Sequence, residues 1–342
     1  MLQETFKFQV PLTLNAALPP ERRGIRRDHV KMLVQNRRTG KTEHSSFYQL
    51  DRYLEKGDVL VLNSSRTVPA VLRADLLREG SILMKEMEIR LARRKSESVW
   101  EALPVSADIK NGDHLRFSNH LSGTVQHVSE ESPFITIHFS KQGTELFDEI
   151  YAAGEPVRYE YINEPWDLDY YQTVFATHPG SVEMPSAGRA FSWELLFKLQ
   201  RKGIQIVFIQ LHTGLSYLLD DKWDHSPMEN FEEYHISDEA WDTILKAKVG
   251  GAKVVAVGTT VVRSLETAIS TGNLSGWTNL YIRSNYPLKT VDGIITGMHE
   301  PEASHLELLS AFIQQENLFK AYNEALKLGY LWHEFGDMNL LI

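Results

Sequence analysis

The sequence contains no cysteine. That excludes disulfide staples, thiolate nucleophiles and cysteine-ligated zinc or iron–sulfur centres. Long hydrophobic runs are missing too. The apolar stretches are strand-sized, far short of the roughly 20 residues a membrane helix needs. The segment from Met1 to Val10 is too polar for a signal-peptide core. A soluble, cytoplasmic protein without membrane contact is expected. Positive charge is not in excess either. Lys plus Arg number 36 against 45 Asp plus Glu, a net charge of −9. This excludes affinity resting on a general basic surface, but not a local basic patch facing an RNA. His-x-x-x-His and His-Glu-x-x-His are absent and no carboxylate stands at ligand spacing, so no metal is expected. No internal repeat is present.

What remains is ordinary globular composition: 342 residues, 42% apolar and 24% charged. One large or two ordinary domains are expected at this length. Near the start, Val30 to Gln35 reads as a strand, Ser46 to Leu54 as a helix stopped by Gly57, and Asp58 to Leu62 as a buried strand. From about Ala70 to Ser140 the texture changes to short alternating runs: 87–92, 99–103, 114–117, 123–128 and 134–139, separated by turns such as Asn111-Gly112-Asp113. Several short strands so closely spaced point to an all-β sandwich or barrel.

From about Thr144 helices alternate with buried strands. A helix from Trp193 to Lys202 stops at Gly203, and strand Ile204 to Leu211 follows. Helix Ser237 to Val249 has Ser237 as cap, an acidic first turn and Gly250-Gly251 at its end. Then come strand Lys253 to Val257, helix Val261 to Ser270, strands at Leu280 to Arg283 and Gly293 to Thr296, and helices at Ala303 to Gln314 and Asn317 to Lys327. This alternation implies an α/β fold: a mostly parallel sheet flanked by helices. The expected organisation is an α/β domain of residues 1–69 and 144–342, with an inserted small all-β barrel at 70–143.

The clearest chemical feature is the run Lys253 to Glu266, KVVAVGTTVVRSLE. A buried strand enters Gly258-Thr259-Thr260 and then a helix. Ligands bind at the carboxyl ends of strands in such sheets. Gly258 admits a close ligand, and the amides after it suit an anion or carboxylate. One threonine can equally serve as the helix cap. Arg263 and Glu266 are spaced to pair along the helix. A second strand ends in His212-Thr213-Gly214 and a third segment in His299, each a candidate for acid–base work or for a plain bond to a loop carbonyl. The small-residue loop around Pro185 and Gly188 allows close approach of a ligand, or simply enters a helix. Asp337 follows Gly336 as an acid or a turn former. Basic islands at Glu21 to Arg27 and Arg93-Arg94-Lys95 are the places where phosphates would dock.

In order, these pieces resemble the S-adenosylmethionine:tRNA ribosyltransferase-isomerase family of queuosine biosynthesis, from Gly57-Asp58-Val59 to the C-terminus. The best-matched stretches are Tyr171-Gln172-Thr173-Val174-Phe175-Ala176, Leu211-His212 with Gly214, and Ala256-Val257-Gly258-Thr259-Thr260 with Arg263 and Glu266. Asp292-Gly293-Ile294-Ile295-Thr296 with His299 and Pro301, and Phe335-Gly336-Asp337, complete the match. The resemblance implies an α/β domain with a small β-barrel. It implies transfer of the ribosyl moiety of S-adenosylmethionine, a co-substrate, onto a 7-aminomethyl-7-deazaguanine base in the anticodon region of tRNA. The ribose becomes an epoxycyclopentane, giving epoxyqueuosine, and adenine and methionine leave. It further implies a monomer. The chemistry needs a base beside the sulfonium and a donor for departing adenine; His212, His299, Glu266 and Asp337 are the matched residues able to serve. Arg66, Gly214, Gly258, Thr259, Thr260, Arg263, Pro185 and Gly188 are the expected substrate-binding positions.

The chain departs from the family pattern at several loops. Ser64 stands where the family has an acid and Val71 where it has an Arg. Arg189-Ala190 replaces Leu-His. Val157-Arg158-Tyr159-Glu160-Tyr161 replaces Leu-Pro-Pro-Tyr, and His333-Glu334 replaces Phe-Ser. These changes leave two other readings open: the same fold with another substrate, or a binding protein without catalysis.

Overall fold

The computed structural model describes residues 8–105, 108–159, 161–162, 164–216, 231–300 and 304–342. In chain order the strands and helices are β1 (Lys31–Gln35), β2 (Thr42–Ser46), β3 (Val59–Asn63), β4 (Ser65–Thr67), β5 (Val71–Arg78), β6 (Ser81–Arg94), β7 (Val99–Pro104), β8 (His114–Arg116), β9 (Ser122–Val128), β10 (Ile135–Phe139) and α1 (Gly143–Ala153). Next come β11 (His178–Ser181), α2 (Trp193–Lys202), β12 (Gln205–Leu211), β13 (Glu232–His235), α3 (Asp238–Val249), β14 (Val254–Val257), α4 (Thr259–Thr271), β15 (Ser275–Thr278), β16 (Gly293–Gly297), α5 (Ser304–Leu309), α6 (Gln315–Lys327) and β17 (Met338–Leu341). Among the described residues no helix is long and apolar enough to cross a membrane.

Among those residues nine strands form one sheet in the order β15-β13-β12-β3-β14-β16-β17-β1-β2. Its centre, β12-β3-β14-β16, is parallel. Outside it the pairing is antiparallel, except for the parallel pair β17-β1. Both faces of the centre are buried, which is why β3 reads as an unbroken apolar run. Val59 and Val61 face a core completed by α3, α4 and α6, whose inward residues include Ile244, Leu265 and Leu318. Leu60 and Leu62 face the other core with Phe47, Leu195 and Leu199. At up to about 3 kcal/mol for each fully buried large apolar side chain, these two layers fix which way every strand-end loop points.

Six strands, β10-β7-β6-β5-β8-β9, close an antiparallel barrel. Its core includes Leu72, Ile89, Trp100, Leu115 and Ile137, and α1 covers it with Leu146 and Ile150. Strand β5 was not expected; its alternation is interrupted by irregular pairing with β6 between Ala74 and Leu77. The cap expected at Ser237 is present, accepting from the Ala240 N–H at 3.2 Å, and Ser192 caps α2 in the same way, accepting from the Leu195 N–H at 3.1 Å.

Some sequence expectations fail. Residues 280–283 form no strand. The edge strand is β15, and Thr278 turns the chain after it, its hydroxyl accepting from the Leu280 N–H at 3.2 Å. The segment expected as a long helix to Gln314 is helical only over Ser304–Leu309; Pro301 and Ala303 lie outside the described residues. The segment at Phe47–Arg52 is a 3-10 helix. Arg263 does not pair with Glu266: it pairs with Glu232 on β13, while Glu266 faces inward.

Candidate active site

β12, β3, β14 and β16 run the same way side by side, so the segments leaving them depart from one edge. Asn63, at the end of β3, ties two of these together. Its amide N–H donates to Leu211 O at 2.8 Å, and its Oδ1 accepts from the N–H of Leu211 and Ser65 at 3.0 and 3.1 Å. A buried amide so fully used is a fixed strut.

His212 stands directly after β12. Its Nδ1 lies 2.8 Å from Ser65 Oγ, and Ser65 Oγ lies 2.6 Å from Ser181 Oγ. Ser181 Oγ accepts from the Thr213 N–H at 3.1 Å. Burial lowers the His212 pKa to about 4, helped by Arg94 and His178. The ring is therefore neutral at pH 7. Gly180 makes room for it: a Cβ there would lie 2.5 Å from His212 Nδ1. Gly214 follows in the same loop, and Leu215 anchors that loop in the barrel's core.

Gly258 takes φ +92° between β14 and α4, a conformation that suits glycine. Its N–H donates to Ile295 O at 2.8 Å. Neither Thr259 nor Thr260 caps α4 with its side chain, so the first-turn amides of α4 face this edge without a side-chain cap. The loop of Pro185 and Gly188 packs over it, a Cβ on Gly258 standing 3.4 Å from Ala187 Cβ. Gly188 is itself tightly seated, with Phe175 and Thr173 3.0 Å from where its Cβ would be.

His299 follows β16. Its Nε2 is 2.6 Å from Thr296 Oγ1 and its carbonyl accepts from Trp332 Nε1 at 3.2 Å. Its ring stacks on His305, and burial, His305 and His333 hold its pKa well below the ordinary value. Arg263 stands near His305 and is paired with Glu232.

The other expected residues take different positions. Glu266 lies two turns into α4 and is fully buried. Its carboxylate accepts from the backbone N–H of Lys289, Thr290 and Val291 at 2.9 to 3.2 Å. Those residues lead into β16, so Glu266 sits at the opposite edge of the sheet from His299. Asp337 is on the near edge, because Met338 pairs with Gly297. Its two oxygens accept from the N–H of Lys31 and Leu331 at 2.7 and 2.8 Å, and burial raises its pKa. Arg66 is exposed on β4, its guanidinium 5.2 Å from the Tyr151 ring centroid.

The basic islands are mostly neutralised: Arg27 by Glu21, Arg26 by Asp28, Arg93 and Lys95 by Glu101, and Arg94 by Glu233. Among the described residues no three His, Asp or Glu gather to hold a metal ion. Sequence reasoning missed Asn63, Ser65 and Ser181 as site residues, small polar residues with no motif spacing, and marked Arg189 only as a departure from the family pattern. Arg189 is buried, with Nη2 2.8 Å from Glu21 Oε2 and Nε donating to Tyr170 O at 2.7 Å. Burial lowers its pKa to about 10, so it remains charged at pH 7.

The family model described as "Queuosine biosynthesis protein" matches residues 3–341. The chain is 36% identical, over the full length of both, to S-adenosylmethionine:tRNA ribosyltransferase-isomerase of Clostridioides difficile strain 630. It is 34% identical over 99% of both chains to the protein of that name in Staphylococcus aureus strain Newman. Among solved structures it resembles S-adenosylmethionine tRNA ribosyltransferase from Thermotoga maritima, with a TM-score of 0.56 and 29% identity over 98% of this chain and 99% of that one. With the match running from one end of the chain to the other, the chain belongs to the queuosine biosynthesis family of S-adenosylmethionine:tRNA ribosyltransferase-isomerases.

Proposed function

We propose that this protein transfers the ribosyl moiety of S-adenosylmethionine onto 7-aminomethyl-7-deazaguanine in tRNA. The ribose isomerises to the epoxycyclopentane of epoxyqueuosine, and adenine and methionine are released. Full-length identity with enzymes named for S-adenosylmethionine and tRNA supports this. The observation that carries it is the meeting of His212, the uncapped start of α4 at Gly258 and His299 on one sheet edge.

The chemistry requires removal of a proton beside the sulfonium and donation to departing adenine. We assign both tasks to the two neutral imidazoles. For His212 the serine pair sets the tautomer. If Ser65 donates to Nδ1, Nε2 carries the proton and can give it. If Ser65 turns to donate to Ser181, Nδ1 carries the proton and Nε2 can accept one. The two hydroxyls can turn to suit either tautomer; with Nδ1–H donating to Ser65, Nε2 takes up one proton and returns it from the imidazolium, leaving the ring as it began. The α4 amides with Thr259 and Thr260, the loop of Pro185 and Gly188, and Gly214 form the substrate-binding wall. Arg66, exposed beside this edge, and Arg263 supply positive charge toward the substrate's anionic groups. Asp337 acts by holding backbone at the site's edge through Lys31 and Leu331, whereas Glu266 holds the turn into β16 at the opposite edge.

The same reading places the tRNA's anticodon region against the exposed edge near Arg66, with the protein acting as a cytoplasmic monomer. It takes residues 1–69 and 144–342 as the α/β unit and 70–143 as the barrel unit. The test is mass spectrometry of nucleosides after incubating the purified protein with S-adenosylmethionine and tRNA carrying the aminomethyl base. Epoxyqueuosine with free adenine is expected. No product, where the Clostridioides difficile relative gives product in parallel, would overturn the assignment.

A further inference from the structure

Residues far apart in sequence come together near the Gly188 loop. Arg189, Ala190 and Glu334 line one small cleft with Ser186 and Gly336. Next to it the rings of Tyr159, Tyr161 and His333 form a column, with centroids 5.8 Å and 4.4 Å apart and both pairs 20° from parallel. The hydroxyl ends of this column meet carboxyl groups. Tyr161 Oη donates to Glu334 Oε2, and Tyr159 Oη donates to Glu183 Oε2 at 3.1 Å. Glu183 also reaches the His212 loop, accepting from Ser216 N–H at 2.6 Å and, through its carbonyl, from Thr213 Oγ1 at 2.5 Å.

The cations nearby are committed elsewhere. Arg189 goes to Glu21, Arg23 to Phe335 O at 2.7 Å and Arg158 to Glu155 at 3.5 Å. His333 Nε2 is 3.4 Å from Glu300. Among the described residues Glu334 has no cation at ion-pair distance. Tyr171 is 3% exposed, and among the described residues its hydroxyl has no hydrogen-bond partner; Glu334, Arg158 and Arg189 are the charges that act on it. A buried phenol left unpaired costs free energy. The Glu334 carboxyl, with no cation at ion-pair distance among the described residues, and the Tyr171 hydroxyl are complementary to a group bearing several N–H donors and a positive charge.

We propose that this niche binds a primary ammonium group of the substrate, at Glu334 and the Tyr171 hydroxyl. The inference rests on the ribosyltransferase reading above, which offers two sources: the aminomethyl group of the base and the α-ammonium of S-adenosylmethionine. Burial and Glu183 push the Glu334 carboxyl up to about 8. Without a ligand it is largely protonated at pH 7, and docking of an ammonium ionises it and releases the proton to solvent.

The test is calorimetric titration of the full chain in two buffers of different ionisation enthalpy. Two ligand pairs are used: 7-aminomethyl- against 7-cyano-7-deazaguanine, and S-adenosylmethionine against its α-deamino analogue. The wild type is expected to favour the ammonium-bearing member of one pair by about tenfold or more, the size of a charge-assisted bond, with proton release at pH 7. Glu334→Gln should abolish that preference and the proton release while leaving affinity for the neutral member unchanged. Tyr171→Phe, which removes only the unpartnered hydroxyl, should fold normally and weaken the ammonium ligand alone. The pair affected identifies the source. A wild type without preference, or variants that weaken both members alike, would overturn the inference. Epoxyqueuosine formation by the wild type is scored separately, so the reaction can stand while the niche assignment falls.

Discussion

The rings of His299 and His305 lie flat on one another, centroids 4.3 Å apart and planes 3° from parallel. Such a pair holds together only while both rings are neutral. Burial lowers both, with His305 brought to about 4 and Arg263 adding to the effect. The unfolded chain, with ordinary histidines near 6.5, takes up protons first as pH falls. The contribution of these rings to stability is therefore complete above about pH 6.5 and is lost on the way down toward pH 4. About 2 kcal/mol is expected to disappear from His305 between pH 7 and 5, with His299 acting in the same direction. Glu334 has the opposite sign, since its raised pKa favours the folded state at low pH. The two are separated by comparing wild type with His305→Gln in urea at each pH. The variant should show a shallower loss on acidification, and an identical slope would refute the assignment to the histidine stack.

His212 is expected to be the most sensitive single position for the reaction. His212→Asn should lower kcat by about 10²–10⁴-fold. Ser65→Ala should lower it less, and shift the pH profile, because Nδ1 loses the group that sets its tautomer. Gly180→Ala reaches the same ring sterically, since the new Cβ would stand 2.5 Å from Nδ1. Reduced kcat in all three, with folding unchanged by circular dichroism, is the expected pattern. A Gly180→Ala enzyme with full kcat would argue that the ring position does not matter.

Glu266 should behave as a fold residue. Its replacement by Ala leaves three buried or part-buried N–H groups without their acceptor. A loss of about 3 kcal/mol in unfolding free energy is expected, read from denaturant midpoints. Glu266→Gln keeps one acceptor oxygen and should retain kcat within a few-fold in whatever fraction stays folded. A folded Glu266→Gln enzyme with no turnover would restore it to the chemistry.

The Arg189–Glu21 pair makes an asymmetric prediction. The Arg189 side chain is 2% exposed and that of Glu21 31%. Glu21→Ala strands a buried guanidinium and should cost about 3 kcal/mol. The Glu21→Ala, Arg189→Met double variant removes the stranded charge and should recover most of that loss. Thermal and urea denaturation of the three proteins check this. An additive double variant would mean that the pair is not coupled.

Much of the fold was legible because it rests on local rules. Helix α2 begins at a serine cap and stops at Gly203, and both signals stand in the sequence. Strand β3 is apolar throughout because both sheet faces are covered, and a run of that kind announces itself. Residues 280–283 misled because they alternate like a strand, yet no partner lies beside them. Edge strand β15 is the reverse case: its Ser-Gly-Trp-Thr composition is weak, and it exists because β13 is there to pair with.

For the site, the sequence by itself determined which residues follow the buried strands: His212, Gly258 and His299. It also determined the absence of any thiol chemistry. Strand order decided the rest. Placing β12, β3, β14 and β16 in parallel brought those three ends to one edge, while the length of α4 carried Glu266 to the other. The hydroxyl chain from Ser181 through Ser65 to His212, and the meeting of Tyr161 with Glu334, join residues more than a hundred positions apart. Hydrogen bonds act over about 3 Å. Pairing at that range depends on where packing leaves each loop, so only the tertiary structure selects the partners.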